Sequence, residues 1–298
     1  MPYFSVVIPT FNCADRLDLA LKSVLNQSFR DFEVLVMDDG SSDSTKEVVI
    51  SFNDARIRYY WNPNSGGPAT PRNLGMDLSQ GDWISFLDAD DIWYSNKLER
   101  VFDTIKTNNN IEGICHWENQ RVIGEQKTKL LKHGPYEKEF YKNLLLEGNR
   151  LSPSATCVRR DFIQSNKLRF NQSRSFVIVE DYDFWLNLAK AGARFFFIED
   201  PLGEYVLYGD NISSNSIKLF ENLDTLLRHH VFNIQSFEDP NHLWKKLKTQ
   251  IDLSKSKIYL KNGNFQKAIR LAICAFFSNP SIFIEKLLSA SKRLFYST

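Results

Sequence analysis

The sequence predicts an α/β fold in which a mostly parallel central sheet is flanked by helices, followed by a C-terminal helical appendage. Short apolar runs alternate with segments of helical periodicity over the first hundred residues. The runs are continuously apolar, as in strands that are buried on both faces of a parallel sheet. After residue 216 only the helical periodicity remains. These observations predict βαβ units followed by a bundle of helices.

The elements follow in a regular order. Apolar runs bounded by turn formers predict four strands, at 3–8, 32–37, 57–61 and 83–87. Helical spacing of apolar residues predicts helices between them, at 14–25, 44–52 and 71–78. Ser41 or Ser42 suits the N-cap of the second helix.

The segment 111–150 is mixed in pattern. The stretch from Cys115 to Glu118 is typical of a strand with a polar edge, in which His116 is a structural residue and not a ligand. The segment 127–142 is charged and rich in tyrosine, and is predicted to be a surface loop.

Composition limits the functional classes. The 298 residues suffice for one large domain or a domain with an appendage, and 37 basic against 36 acidic residues give no reason to expect a nucleic-acid partner. Four widely spaced cysteines argue against a zinc site and fit a reducing compartment. The first apolar run is too short for a signal peptide, and no stretch has transmembrane length, so we expect a cytoplasmic protein or one held at a membrane surface.

Polar side chains follow the predicted strands at the point where each strand ends. Because the carboxyl ends of parallel strands share one edge, where ligands bind, these residues should converge on one crevice. Each alone could be a turn former or a helix cap. The set comprises Thr10, Asp38, Asp39, Asn62, Asp88 and Asp90.

Three carboxylates, Asp88, Asp90 and Asp91, lie within four positions after the fourth strand. Neighbouring carboxylates repel one another, and a hard cation such as Mg²⁺ or Mn²⁺ would relieve that repulsion while sharing its ligands with phosphates. The alternative is a solvated acidic turn before a helix that begins near Ser95. No GxGxxG or GxxxxGK[ST] motif is present. The pattern therefore fits a nucleoside diphosphate held by a metal ion.

Seven short motifs follow one another along the chain. They are VVIPTFN at 6–12, QSF at 27–29, FEVLVMDDGSSD at 32–43, GG at 66–67, RNLG at 72–75, DADD at 88–91 and EDYDFWL at 180–186. In their order and spacing they resemble an inverting family 2 glycosyltransferase of bacterial surface-polysaccharide type, with a GT-A fold. The resemblance covers about residues 3–215.

The resemblance implies a role for each site residue. Asp39 would bind the nucleotide base, typically uracil, and Arg72 would approach the base or the diphosphate. Asp90 would ligate a divalent metal, Mn²⁺ or Mg²⁺, and Asp88 would contact ribose or the donor sugar. Asp181 would be the base that deprotonates the acceptor. The remaining donor-binding residues are Pro9, Thr10, Asn12, Asn62 and Gly67.

The chemistry of Asp181 suits such a role. Inversion by direct displacement needs one base opposite the leaving group. The apolar neighbours of Asp181, from Val177 to Val179 and at Phe184 and Trp185, should raise its pKa by desolvation. Alone, the Glu180-Asp181 pair could instead be the N-cap of a helix over 182–190.

The chain departs from the family pattern in a few places. Val206 and Tyr208 stand where an Arg and a His are frequent, and Tyr208 is a poor ligand for Mg²⁺. Asn187 replaces a frequent Arg, and Pro71 replaces a small residue. These departures leave the class intact but change the side chains expected at the metal and at the nucleotide clamp.

We therefore expect a catalytic domain over 1–215, with a donor half at about 1–110 and an acceptor half at about 111–215, and a helical region over 216–298. The domain would move a sugar from a nucleotide-diphosphate donor, UDP-linked by expectation, to a glycan or lipid-linked acceptor. The alternatives are a degenerate carbohydrate- or nucleotide-binding module and a sugar nucleotidyltransferase, which would need a Gly-rich basic loop after the first strand. The basic amphipathic pattern over 280–295 fits peripheral membrane contact, packing on the catalytic domain, or a homodimer.

Overall fold

The computed structural model describes residues 1–209 and 216–285. The chain divides into two compact units, Met1–Asn211 and Ile212–Thr298. Every candidate site residue belongs to the first unit.

The first unit contains a mixed sheet with helices packed on it. Its strands are β1 Phe4–Thr10, β2 Phe32–Asp38, β3 Ile57–Trp61, β4 Trp83–Phe86, β5 Ile92–Trp93, β6 Gly113–Val122, β7 Thr128–Leu131, β8 Thr156–Arg159 and β9 Phe195–Leu207. Its helices are α1 Ala14–Leu25, α2 Thr45–Ser51, α3 Ala69–Leu78, α4 Lys97–Thr107, α5 Phe140–Glu147, α6 Arg160–Ser165 and α7 Glu180–Lys190. A short 3₁₀ turn spans Arg174–Phe176.

The strand order in the sheet is β3-β2-β1-β4-β8-β6-β9-β5, and β7 pairs with β6 outside this path. The pairs β3–β2, β2–β1 and β1–β4 are parallel, which confirms the predicted arrangement of the first four strands. Every residue of β1 and β2 is buried, as expected for strands covered on both faces. Beyond β4 the sheet becomes mixed, because β8 runs antiparallel to both β4 and β6.

Two local predictions were wrong. The segment 127–142 is not a simple loop, since it contains β7, which pairs antiparallel with β6 between Thr128 and Leu131. Ser41 and Ser42 do not cap α2, whose N-cap is Ser44, while Asp43 accepts the backbone N–H of Thr45. An aspartate two residues before the first helical amide reaches it as readily as a cap serine would.

His116 lies in β6, as predicted, and is completely buried. Its Nδ1 is 2.7 Å from the carbonyl oxygen of Trp117, and burial lowers its pKa well below the usual range. A buried neutral histidine bonded to its own strand has a structural role.

The second unit is helical over the described residues. It contains α8 Ser216–His229, a π turn at His230–Ile234, α9 Pro240–Lys261 and α10 Phe265–Ser278, followed by a helical turn at 280–285. The basic residues of the predicted final helix, Lys286, Lys292 and Arg293, lie outside the described residues. No helix in the described part of the chain is both long and apolar enough to cross a bilayer.

Candidate active site

The loops after β1 and β2 are tied together by Asn12. Its backbone N–H donates to Ser41 Oγ at 2.8 Å, and its side-chain Oδ1 accepts the N–H of Ser42 at 2.8 Å. Thr10 lies at the end of β1, where its carbonyl accepts the N–H of Asp39. The Thr10 hydroxyl is buried and has no hydrogen-bond partner among the described residues. Such an atom is best explained by a ligand or a water molecule that completes the site.

Asp39 holds the turn that follows β3. Its Oδ1 accepts the backbone N–H of Ser65 at 2.9 Å and the Ser65 hydroxyl at 2.7 Å, and its carbonyl accepts from the Asn64 side chain. Gly40 has φ +86°, and a Cβ there would lie 2.7 Å from the Asn64 nitrogen. Only glycine therefore permits the two loops to approach so closely.

Asn62 and Gly67 border the same turn. The Asn62 N–H donates to the carbonyl of Asp38 at 2.9 Å, which holds the end of β3 beside the end of β2. A Cβ on Gly67 would lie 3.3 Å from Val177, in the segment that leads to Asp181. Gly67 therefore lies against the segment that precedes Asp181 in the chain.

Arg72 is a buried guanidinium that joins two parts of the site. From α3, its Nη2 donates to Asp88 Oδ1 at 2.6 Å and its Nη1 donates to Glu180 Oε1 at 2.9 Å. Its exposure is 3%, and the guanidinium carbon lies 5.3 Å from the Phe170 ring centroid. A charge this deep is stable only because it is paired on two sides. Arg72 therefore contacts the first acid of the DADD segment and the residue before Asp181.

Asp181 lies in the first turn of α7. Its Oδ1 accepts the N–H of Tyr182 at 2.7 Å, and its Oδ2 accepts from the Asn149 side chain at 3.2 Å. Burial and then the charge of Glu180 raise its pKa to about 7, although Arg72 opposes the shift. The alternative that the Glu180-Asp181 pair is the N-cap was wrong, because both residues lie within the first turn of α7 and the N-cap is Val179.

The backbone just before Asp181 is strained. Ile178 has φ +78°, a left-handed conformation that a β-branched residue rarely adopts. Such a conformation costs about 1–3 kcal/mol and persists only where the surroundings enforce it. The strain lies three residues before Asp181, where it sets the entry into α7.

The carboxylates after β4 differ in their surroundings. Asp88 and Asp90 are half-buried, whereas Asp91 is buried and accepts the N–H of Val206 at 2.9 Å as well as the Ser154 hydroxyl. Burial, with a contribution from Asp90, raises the pKa of Asp91 well above the usual range. Asp91 therefore holds β9 and the Ser154 loop in place.

Asp88 and Asp90 are the candidate ligands of a divalent metal. Within residues 1–209 and 216–285, no group of three or more His, Cys, Asp or Glu side chains is placed to hold a metal ion. A cation shared with phosphates needs only one or two carboxylates from the protein. Asp90, with Asp88 beside it, supplies hard oxygen ligands of that kind. The residues present fit a metal shared with a diphosphate, and they do not fit a cage made by protein alone.

Tyr208, at the position where the family pattern has His, is covered by a cation. The guanidinium carbon of Arg16, from the first turns of α1, lies 4.2 Å from the Tyr208 ring centroid. Burial raises the pKa of Tyr208, and the Asp90 carboxylate adds to the shift while Arg121 and Arg16 oppose it. Arg16 and Tyr208 are thus near the DADD segment.

Several residues of this site were not predicted from the sequence. Ser65, Asn149 and Ser154 are single polar residues in loops, without a motif of their own. Glu180 stands directly before Asp181, and its Oε2 is buried without a partner among the described residues. Its adjacency to Asp181 was the one signal that could have revealed it.

Comparison with known proteins places the chain among glycosyltransferases. The family described as "Glycosyl transferase family 2" matches residues 5–166. One relative is the Escherichia coli UDP-Glc:alpha-D-GlcNAc-diphosphoundecaprenol beta-1,3-glucosyltransferase WfgD, 32% identical over 221 residues, a match that spans 72% of this chain and 81% of the relative.

Solved structures share the fold at low sequence identity. Residues 1–349 of S. aureus TarS, in complex with UDP-GlcNAc, have a TM-score of 0.65 and 18% identity, with 93% of this chain and 91% of that chain covered. The mannosyltransferase PcManGT from Pyrobaculum calidifontis, in complex with GDP-Man and Mn²⁺, has a TM-score of 0.63 and 14% identity, with 99% and 81% covered. These likenesses confirm a GT-A-type fold.

Proposed function

We propose a function from the premise that this chain belongs to glycosyl transferase family 2 and is a glycosyltransferase. The chain moves a sugar from a UDP-linked donor to a hydroxyl of a lipid-linked or polysaccharide acceptor, with inversion at the anomeric carbon. The observation that carries the proposal is the Arg72 bridge between Asp88 and Glu180. It joins Asp88, the acid predicted to face the donor, to Glu180, the residue directly before the predicted base Asp181.

In this mechanism Asp181 takes the proton of the acceptor hydroxyl. The acceptor oxygen then bonds to the anomeric carbon, and the bond from that carbon to the diphosphate breaks, so that UDP leaves with the electron pair. A pKa of about 7 lets Asp181 be ionised near neutral pH while remaining basic enough to accept a proton. Asn149 donates to Asp181 and orients the carboxylate.

The donor would lie along the strand ends. Asp39 would recognise the base. Thr10, whose carbonyl accepts the Asp39 N–H, would add a hydrogen bond from its buried hydroxyl, which has no partner among the described residues. Pro9, Asn12, Asn62 and Gly67 would shape the walls of this nucleotide site. Arg72 is buried and would act on the donor mainly by orienting Asp88.

Asp90 would hold a divalent cation, with Asp88 at the ribose or donor sugar. When bound, the cation would neutralise charge on the leaving diphosphate. Arg16 lies over the Tyr208 ring, and the charges of Asp90 and Arg16 both act on the Tyr208 hydroxyl. We propose that Arg16 supplies the positive charge that Val206 and Tyr208 do not supply in the usual Arg and His positions.

The acceptor class is carried over from the relative. WfgD acts on a diphosphoundecaprenol-linked sugar, and a similar lipid-linked acceptor would place the reaction at the cytosolic face of a membrane. The sugar itself is left to experiment, since discrimination between epimers depends on a few hydrogen bonds.

Isothermal titration of UDP, GDP and dTDP, each with and without Mn²⁺, tests the donor half of the proposal. We expect metal-dependent binding of UDP that is lost in Asp39→Ala and weakened in Asp90→Ala. Preferred binding of GDP would contradict the UDP assignment. No binding of any nucleotide would contradict the donor site as a whole.

A further inference from the structure

An apolar stripe runs along α10 and the helical turn after it. Within α10, which ends at Ser278, its side chains recur every three or four residues and therefore share one face of the helix. All are 40–78% exposed, although they are large and apolar. This α10 stripe consists of Phe265, Ile269, Ile273, Phe276, Phe277 and Ile284.

The opposite face of α10 is already used for packing. Ala268 and Ala275 are buried there, and the Ala268 carbonyl accepts the Ser256 hydroxyl of α9 at 2.8 Å. The stripe is therefore not the inner face of the helix pair. Large exposed apolar patches of this kind mark interaction surfaces.

The same part of the chain is strongly basic. Residues 253–298 contain eight of the 37 basic residues but one of the 36 acidic residues, Glu285. This segment has a formal charge of +7, against +1 for the whole chain. Its basic residues are Lys255, Lys257, Lys261, Lys267, Arg270, Lys286, Lys292 and Arg293.

We infer that the α10 stripe binds the surface of an anionic lipid bilayer, with the helix lying in the plane of the interface. A helix of 14 residues is about 21 Å long, and aromatic and aliphatic side chains beside Lys and Arg are what such interfacial helices present. A second copy is a poorer occupant, because two basic segments of the same kind would then face each other.

The choice of a bilayer also rests on the proposed function, since a lipid-linked acceptor lies in a membrane. Bilayer binding can nevertheless be measured without donor or acceptor. Failure of vesicle binding would overturn this inference and leave the transferase proposal untouched. Failure of nucleotide binding would overturn the transferase proposal, while vesicle binding could still be measured.

Flotation of the full chain with vesicles of phosphatidylcholine, with and without phosphatidylglycerol, is the test. We expect binding to the anionic vesicles only. The variant Ile273→Ser/Phe277→Ser should lower partitioning about tenfold or more, because each lost side chain removes apolar burial. Ile50→Ser, a matched change at an exposed isoleucine of α2, should leave binding unchanged.

Charge is tested separately. Lys267→Glu/Arg270→Glu should weaken partitioning by at least about tenfold, since each basic residue near an anionic surface contributes measurably. The control Lys46→Glu, on exposed α2, should have little effect. Equal binding by the stripe variant and the unaltered chain would overturn the inference. The inference would also be overturned if the unaltered chain did not bind vesicles but formed a concentration-dependent dimer that the stripe variant did not form.

Discussion

Nη1 of Arg72 lies 2.9 Å from Oε1 of Glu180, a residue 108 positions away in the chain. Both side chains are almost completely buried. Since Glu180 precedes Asp181, this ion pair fixes the start of α7 against α3. The same guanidinium also contacts Asp88, so a change at Arg72 should affect both the donor side and the base.

Replacing Arg72 should separate its geometric and electrostatic roles. Arg72→Lys keeps the charge but cannot bridge two carboxylates, and we expect kcat/KM to fall about a hundredfold. Arg72→Met removes the charge as well and should destabilise the fold by about 3–5 kcal/mol. Because Arg72 lowers the pKa of Asp181, Arg72→Met should move the acidic limb of the pH–rate profile, where the base becomes protonated, to higher pH. An unchanged profile in both variants would show that Arg72 does not influence the base.

Asp181 should reduce stability at neutral pH. Its pKa in the folded state, about 7, is raised above the ordinary value of 3.8, so the folded protein binds the proton more tightly than the unfolded chain. Stability from this group is therefore present at low pH and is lost as pH rises towards 7. Relative to the unaltered chain, Asp181→Asn should have a free energy of unfolding that is about 1–3 kcal/mol more favourable to the folded state at about pH 8 than at about pH 5. Urea unfolding at both pH values checks this, and an equal effect at both would contradict the raised pKa.

Asp39 and Ser65 offer a matched pair for the nucleotide site. Both changes, Asp39→Ala and Ser65→Ala, disrupt the hydrogen bond that holds the turn after β3. If Asp39 also recognises the base, Asp39→Ala should weaken UDP binding at least about tenfold, whereas Ser65→Ala should mainly lower the melting temperature. Calorimetry with thermal unfolding separates the two roles. Equal loss of UDP affinity in both variants would reduce Asp39 to a turn residue.

Arg16 should contribute to diphosphate binding. Removing its charge in Arg16→Ala is expected to weaken UDP binding about five- to tenfold while affecting uridine little, because only UDP carries the diphosphate. Tyr208→Phe keeps the ring beneath the guanidinium and should bind UDP nearly as well as the unaltered chain. If uridine and UDP lost affinity equally in Arg16→Ala, the charge would not act on the diphosphate.

The parallel half of the sheet was predictable because its signals are local. Apolar runs and helical spacing alternate from β1 to β4, and the ends of parallel strands must share an edge. The convergence of Thr10, Asp39 and Asn62 followed from that rule alone. Strand β7 was missed because its four residues, Thr-Lys-Leu-Leu, are mostly exposed and show no alternation of polar and apolar side chains, and it is held by pairing with β6.

The chemistry of the site was less accessible to sequence. Burial was expected to raise the pKa of Asp181, and the structure agrees in direction. The repulsion by Glu180 was not foreseen, because it depends on how the first turn of α7 places two adjacent carboxylates. The ion pairs of Arg72 with Asp88 and Glu180 were not foreseen, because no local pattern connects such distant segments. The approach of Arg72 to the donor stays a prediction.

The most direct test of the account is release of UDP from UDP-sugars in the presence of an undecaprenyl-diphosphate-linked acceptor and a divalent metal. We expect the unaltered chain to release UDP only when acceptor and metal are both present. Asp181→Asn should bind UDP normally but lose transfer by about a thousandfold, as expected for a general base, and Asp90→Ala should lose the response to metal. Full transfer activity in both variants would contradict the assignment of Asp181 as base and Asp90 as metal ligand.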